Sequence, residues 1–382
     1  MPVICANPIS DLLSRYEVNP TVCLAVEDGV ILIHIPEHKV ILRASPSVLT
    51  IVAALIDRSV NRHAELEATY CLASISDSLE LLLEWKVVIP KGSANRIVER
   101  WRDWGRPAWL LHLASKDTPY AVTMEEKERA TREILAAPMP RPYKCDCNVA
   151  NSEALPSPAR LNDARVGPTF LRRRTHRSYL DAPIRKKDLS TILFYTAGTI
   201  FEHDTDVFGR VLKKCAPSPG ARHPTELYPV IRNCAGLLPG IYHYCSLHHA
   251  LTPLRHGEMR KFLSDALLKQ NYFIDAGLCC FFTCVVSRLM WKYKSPRIYR
   301  LAHLEAGHYC QNFLLAGTAL GLGVYCTAAI ADSLIEEALD IDGVEECLLY
   351  AAGAGVPSEC KDRPPARRRN LASRAVAEFI LA

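Results

Sequence analysis

The stretch Arg172-Arg173-Arg174-Thr175-His176-Arg177-Ser178-Tyr179 sets four arginines and three hydroxyl side chains within eight residues. So many guanidinium groups repel one another unless an anion lies among them. Arginine forks match phosphate oxygens two at a time, and Ser or Thr hydroxyls add further donors. The sharp reading is a phosphate-bearing cofactor; a solvated basic turn or an RNA patch is the plain alternative. The run also stands where a long irregular segment gives way to globular sequence, so it marks the start of a domain.

At 382 residues the chain has room for two domains or more. Hydrophobic residues make up 49% and charged ones 23%, the balance of a folded protein whose core can bury a cofactor. The formal net charge of +5 is too mild to argue for nucleic acid. Met1 to Pro20 carries Asp11, Arg15 and Glu17 and does not read as a signal segment. The richest apolar stretch, Ala276 to Val286, is too short to span a bilayer. A cytoplasmic protein with no membrane segment is expected. The 15 cysteines are odd in number and read as buried thiols rather than a disulfide framework. Neither Cys145-Asp146-Cys147 nor Cys279-Cys280 has a second pair at zinc-ligand spacing, so no metal is expected.

Residues 1–105 read as a small domain. Val22 to Val26 and Val30 to Ile35 predict strands about the turn Glu27-Asp28-Gly29, and Lys39 to Arg43 a third. Ser45-Pro46 supplies an N-cap and a first-turn proline for a helix with Val48, Leu49, Val52, Leu55 and Ile56 on one face. A second helix is predicted from Ser76 to Trp85, then a closing strand from Lys86 to Pro90. Ile97 to Trp104 is a further short amphipathic segment. These are the parts a winged-helix module needs. Arg58, Arg62 and His63 are sparse and followed by Glu65 and Glu67, which argues against a DNA-reading helix.

A linker is expected over 106–160, interrupted toward its end by Pro138, Pro140, Pro142, Pro156 and Pro158. Residues 161–382 predict a mixed domain, giving an α+β protein. Its helices are Lys187 to Ala197 and the long Leu301 to Leu320, rich in small residues that permit close approach. Its strands are Leu227 to Asn233, Ile241 to Tyr244, Cys279 to Val286, Val324 to Ile330 and Leu348 to Ala352. Three further segments carry polar chemistry. Ala216 to Pro224 is a loop whose prolines and Gly220 set an unusual path, with Ser218 as a donor. Trp291 to Arg300 is a basic and aromatic loop, and such interleaving also suits nucleic-acid bases. Pro364 to Arg369 is a solvated tail or a second phosphate clamp.

Taken in order, these segments resemble the nitroreductase superfamily of FMN enzymes, and more narrowly its SagB/McbC-type branch, dehydrogenases that mature ribosomally made peptides. The arginine run resembles the flavin-binding N-terminal motif. Pro217 to Pro224 with Glu226-Leu227-Tyr228, Gly236 to Tyr244, Lys292-Tyr293, Arg297, Tyr299-Arg300, Glu305-Ala306-Gly307-His308, Gln311-Asn312 and Ala319 to Gly323 complete the series over roughly Arg165 to Arg369. Pro219, Arg222 and Lys294 depart from the branch's usual residues. The first domain is similar, more loosely, to PqqD-like modules that bind leader peptides.

The resemblance implies a nitroreductase-like flavin fold preceded by a small winged-helix-like domain, with FMN at a homodimer interface. It assigns Arg173, Arg174 and Thr175 to the phosphate and Arg177 to the ribityl or N1/O2 side of the flavin. Arg367 or Arg368 completes the phosphate site. Pro217, Ser218 and Gly220 lie along the ring from the partner subunit, and Gly321, Leu322 and Gly323 pass close to it. Lys292 and Tyr293 match the catalytic Lys-Tyr pair. Burial and the charges of Lys294, Arg297 and Arg300 are expected to make Lys292 a base. His176, His223, His303 and His308 stand in reserve. The implied reaction is oxidation of azoline to azole, or Cα–Cβ desaturation, in a precursor peptide, with a cyclodehydratase as a further partner. The rivals are an NAD(P)H-dependent nitro or quinone reductase, a non-catalytic leader-peptide scaffold, and, last, an RNA-binding protein.

Overall fold

In the computed structural model, which describes residues 12–36, 40–56, 66, 69–93, 101, 103–144, 151–162 and 164–358, the chain divides into two units. The first takes in residues 1–119 with 295–297, the second the remainder. The first unit holds β1 (Tyr16–Val18), β2 (Cys23–Glu27), β3 (Val30–Ile35), β4 (Val40–Arg43), α1 (Pro46–Ile56), α2 (Leu72–Glu84), β5 (Val88–Pro90) and α3 (Gly105–Ala114). Asp28 and Gly29 take positive φ of 48° and 75°, the twist of a two-residue hairpin turn, and Glu27 pairs with Val30 across it. Ser45 Oγ accepts the Val48 N–H and Pro46 opens α1. β2, β3 and β4 form one sheet, and β1 pairs with β5 in another. Ile33, Ile35, Ile51, Leu55, Leu79, Leu82 and Val88 close the core. Strand β1 carries no local signal, because its partner lies far along the chain. Arg58, Arg62, His63, Glu65, Glu67 and Cys145 to Cys147 lie outside the described residues.

The stretch 106–160 is more regular than its expected role as a linker. It contains most of α3 and all of α4 (Met124–Leu135), which opens with a capping box: Thr123 Oγ1 accepts the Glu126 N–H at 3.2 Å while Glu126 accepts the Thr123 N–H at 3.0 Å. The prolines that suggested a linker begin only after α4. The proline-rich part then runs to an ionic anchor. Lys144 donates through its backbone to Glu226 at 2.9 Å and through Nζ to Glu346 at 2.7 Å and the Tyr228 hydroxyl at 2.9 Å.

The second unit continues with β6 (Glu153–Ala154), α5 (Val166–Arg172), α6 (Lys186–Ala197), β7 (Thr199–Thr205), β8 (Gly209–Lys214), β9 (Thr225–Ile231), β10 (Gly240–Cys245), β11 (Ala250–His256), α7 (Arg260–Ala266), β12 (Leu278–Val285), α8 (Val286–Lys292), α9 (Arg297–Ala319), β13 (Gly323–Thr327), α10 (Asp332–Leu339) and β14 (Glu346–Gly355). A seven-stranded antiparallel sheet in the order β13-β14-β12-β9-β10-β11-β6 forms its centre. Both faces are covered, and the central strands alternate between two cores. Leu227, Ile231, Cys280 and Phe282 pack with Leu189, Ile192 and Phe313 of α6 and α9. Tyr228, Val230, Cys279 and Phe281 pack with Leu263 of α7 and Ile335 of α10. Ten cysteines among the described residues are free thiols; Cys245 is disulfide-bonded, an exception to the expected pattern. No helix among the described residues is long and apolar enough to cross a membrane.

One element corrects the sequence reading. Trp291 to Arg300 is not a loop: Trp291 and Lys292 end α8, and Arg297 begins α9. Val286 continues the β-branched run of β12, so the sequence shows no break where the strand gives way to the helix.

Candidate functional site

Two groups of the predicted residues come together. In the first, the arginine run lies beside β13. Thr175 bridges in parallel to Val324, the His176 N–H donates to the Val324 carbonyl at 2.9 Å, and the Val324 N–H donates to His176 Nδ1 at 3.3 Å. A Cβ on Gly323 would stand 2.9 Å from His176 Cγ and 3.1 Å from Pro357 Cβ, so only glycine lets the two segments lie this close. Gly321 turns the chain at φ +78°, while Leu322 and Gly323 are buried. Arg174 and Arg177 are exposed and Arg173 half-buried. Arg177 lies 5.8 Å from the Tyr272 ring centre. Among the described residues none of these three guanidinium groups has a carboxylate partner. Arg367 and Arg368 lie outside the described residues.

In the second group, the Ala216–Pro224 loop sits against the end of α8. Gly220 takes φ +58°, and a Cβ there would meet Tyr293 Oη at 2.6 Å and Lys292 Nζ at 2.9 Å. Lys292 Nζ rests 4.2 Å from the Phe208 ring centre at the turn between β7 and β8. Burial, and then the charge of Arg222, pull the Lys292 ammonium below the ordinary lysine range. Lys294, Arg297 and Arg300, expected to supply that charge, do not: Lys294 Nζ turns to the Met290 carbonyl at 2.6 Å. Burial pushes Tyr293 up, so its phenol stays protonated. Arg222, which departs from the loop motif this segment resembles, is only 2% exposed. It donates to the Gly220 carbonyl at 3.1 Å and stacks 5.1 Å from Trp291.

Ser218 does not point freely outward. Its Oγ accepts the His223 N–H at 2.8 Å and so folds the loop on itself. His223 is structural rather than catalytic: its Nε2 meets the Leu212 carbonyl at 2.9 Å, its Nδ1 the Tyr309 hydroxyl at 3.3 Å, and burial drives its pKa down to about 3. Beneath the loop lies a cluster that sequence reasoning missed. Arg288 reaches Glu226 at 2.6 Å and the His223 carbonyl at 2.8 Å, and His243 meets Glu226 at 2.9 Å. Burial opposes the charge on Glu226, but Arg288, His243 and Lys214 hold its carboxyl well below the usual carboxylate range. Burial lowers Lys214 to about 8 and raises Glu305 to about 7. Only the three-dimensional fold reveals this cluster, since its members come from five strands and helices.

Among the described residues no hydrogen bond or ion pair joins the two groups. The first offers unpaired guanidinium groups, the Thr175 hydroxyl and a glycine-narrowed backbone, a donor set that fits the phosphate of a flavin mononucleotide. The second offers a lysine of lowered basicity and a protonated phenol in contact with a glycine.

Comparison with known proteins places these features in context. Residues 171–355 match the Nitroreductase family. The chain is 32% identical over 181 residues to a protein of Methanocaldococcus jannaschii named as a nitroreductase, covering 47% of this chain and 87% of that one. It is 28% identical over 251 residues to the trifolitoxin-processing protein TfxB of Rhizobium leguminosarum bv. trifolii, covering 64% of this chain and 65% of TfxB. Among solved structures, a nitroreductase from Anabaena variabilis gives a TM-score of 0.49 at 22% identity, over 64% of this chain and 49% of that one. A chain of the E. coli microcin synthetase McbBCD complex, solved with truncated pro-MccB17 bound, gives 0.43 at 18% identity, over 69% and 93%.

Proposed function

The chain belongs to the nitroreductase family, whose members are flavin oxidoreductases, and from that premise we propose that it is an FMN-dependent dehydrogenase of a ribosomally made peptide. The observation that carries the reading is the meeting of Lys292, Tyr293 and Gly220, with burial and then Arg222 beside them lowering the lysine's basicity. The likeness to a trifolitoxin-processing protein supports a peptide as substrate. A bound FMN would supply the hydride-accepting chemistry. Arg173, Arg174 and Thr175 would hold its phosphate, joined by Arg367 or Arg368, and Arg177 would favour the negative charge the ring gains on reduction. Gly321, Leu322 and Gly323 let the ring approach. Pro217, Ser218 and Gly220 would line it from a second copy.

Neutral Lys292 takes the proton from the carbon next to the one that gives up hydride, and Tyr293 orients the lysine or relays that proton. The product is an azole from an azoline, or a Cα–Cβ double bond. The first unit serves as the PqqD-like, winged-helix leader-binding module. Its outer strand β2 can pair with an extended peptide, beside a cleft of about 620 Å3 lined by Val22, Leu24, Val52, Leu55 and Ile56. A cyclodehydratase supplies the azoline.

The test is mass spectrometry of a candidate precursor after incubation with enzyme and FMN. A loss of two hydrogens per modified site is expected, and Lys292→Ala slows it by about 10²–10⁴-fold. Unchanged turnover in that variant removes Lys292 from the mechanism. The likeness to the M. jannaschii protein favours a second reading, an NAD(P)H-dependent nitro or quinone reductase, for which rapid flavin reduction by NAD(P)H without peptide is the signature.

A further inference from the structure

Trp291 stands next to Lys292 at the end of α8, is only 6% exposed, and has no part in the proposed reaction. Its Nε1–H donates to the Ala137 carbonyl at 2.9 Å, where the proline-rich stretch begins. The Phe208 ring meets its indole edge-on, with ring centres 6.0 Å apart and planes at 78°. The Arg222 guanidinium lies 5.1 Å from its ring centre. Phe208 in turn carries the Lys292 ammonium 4.2 Å from its own ring centre. The turn of the β7–β8 hairpin fixes that phenylalanine: the Thr205 hydroxyl accepts the Phe208 N–H at 3.1 Å and donates to the Gly209 carbonyl at 3.0 Å. Gly220 closes the circle. Its carbonyl accepts Arg222 Nε at 3.1 Å, and a Cβ on it would stand 2.9 Å from Lys292 Nζ. Two rings set nearly at right angles therefore seat two cations as neighbours.

Such an arrangement needs a cause, because like charges repel. Arg222 is 2% exposed, and among the described residues no carboxylate pairs with it. A guanidinium taken out of water without an anion is costly, and the face of a tryptophan is the best aromatic partner it can have. We propose that Trp291 is a positioning residue: braced by Phe208 and tied to Ala137, it seats the Arg222 guanidinium beside the Lys292 amine. A cation held there favours the neutral lysine, the form that takes a proton. The other titratable groups facing Lys292 are Tyr293, with Tyr120 beyond it, and Lys294, which turns away to the Met290 carbonyl at 2.6 Å; none is a carboxylate that could offset the charge. Without the indole face Arg222 turns toward solvent, and Lys292 returns toward the ordinary lysine range.

The test uses the purified full chain without added flavin, as wild type, Trp291→Leu, Arg222→Gln, the double variant and Trp291→Phe. Lys292 is labelled at trace level with acetic anhydride from neutral to alkaline pH, and the labelled peptide is quantified by mass spectrometry. The midpoint of the curve gives the pKa of Lys292. Trp291→Leu and Arg222→Gln are each expected to raise that midpoint by about one pH unit, a tenfold fall in the neutral fraction at neutral pH. Water admitted by loss of the ring pushes the midpoint the same way, and the double variant separates the two causes. If Trp291 acts through Arg222, replacing it in the Arg222→Gln background moves the midpoint little further. Trp291→Phe keeps a ring face for Arg222 and loses the tie to Ala137, so it stays nearer to wild type than to Trp291→Leu. Additive shifts in the double variant, or no shift in Trp291→Leu, would overturn the proposal. Should Trp291→Leu not fold, as judged by melting, Trp291→Met takes its place in the cycle, and a shift in Trp291→Phe as large as that of Arg222→Gln counts equally against the proposal. The inference rests on the reading of Lys292 as the base, but the cycle needs neither cofactor nor peptide. Peptide turnover that survives Lys292→Ala would sink that reading and leave the cycle standing; additive shifts with turnover lost in Lys292→Ala would do the reverse.

Discussion

Lys292 and Arg222 illustrate how far single residues carry the chemistry. An ordinary lysine is almost wholly protonated at neutral pH and cannot accept a proton. Burial and the Arg222 charge move it in the useful direction. Replacing Arg222 by Gln keeps a donor for the Gly220 carbonyl but removes the charge. The acid limb of the pH–kcat/KM profile, below which Lys292 is protonated, is then expected to move to higher pH. Activity at neutrality falls by about tenfold for each unit of that shift and recovers at alkaline pH. An unmoved limb would mean that burial alone sets the basicity of Lys292. Lys292 and Tyr293, the proposed reacting pair, were singled out in the sequence only through their resemblance to a family motif. Arg222 was legible only as a departure. Its effect depends on a loop folding back onto α8, a contact between residues far apart in the chain.

At the scale of elements, the sequence spoke most clearly where apolar runs lie between turns. β9, β10, β12, β13 and β14 all fall within a few residues of their predicted positions because both faces of the sheet are buried. The hairpin β7–β8 was missed. Its residues Thr199 to Thr205 alternate weakly, and Ile200 and Phe201 are more than half exposed. Yet this hairpin brings Phe208 to Lys292 and Lys214 to the buried cluster. α9 was foreseen, with its small residues read as a place of close approach. Gly317 bears this out: a Cβ there would fall 2.5 Å from Val324 Cγ1. Gly317→Ala is therefore expected to cost about 1–3 kcal/mol in denaturant unfolding, the range for overpacking a core. It should also disturb the arginine run, because Val324 carries the bridge to Thr175. A variant as stable as wild type would mean that α9 can shift freely on the sheet.

Across the whole molecule, buried ionisable groups set the response to pH, and two of them pull in opposite directions. His223 is held to about 3 in the fold against an ordinary 6.5. Between those values the unfolded chain binds a proton that the folded chain refuses, so stability rises with pH across that window, by about 5 kcal/mol in all. Glu305 is held at about 7 against an ordinary 4.5. There the folded chain keeps a proton that the unfolded chain has lost, so stability falls as pH rises through that window, by about 3 kcal/mol. Where the windows overlap the slopes nearly cancel, which predicts a broad plateau in mildly acid solution. Below it His223 and Glu226 act together, and acid unfolds the protein; above it Glu305 governs, until its own pKa is passed. Melting temperatures measured across this range should show that shape for the wild type. Glu305→Gln removes the falling arm and leaves stability rising throughout. His223→Gln leaves a decline from mildly acid pH toward neutrality, with Glu226 carrying what remains of the rise below it. If both variants instead shift the curve vertically without changing its slopes, neither group is coupled to folding through its proton, and the buried cluster beneath the loop is held by packing alone.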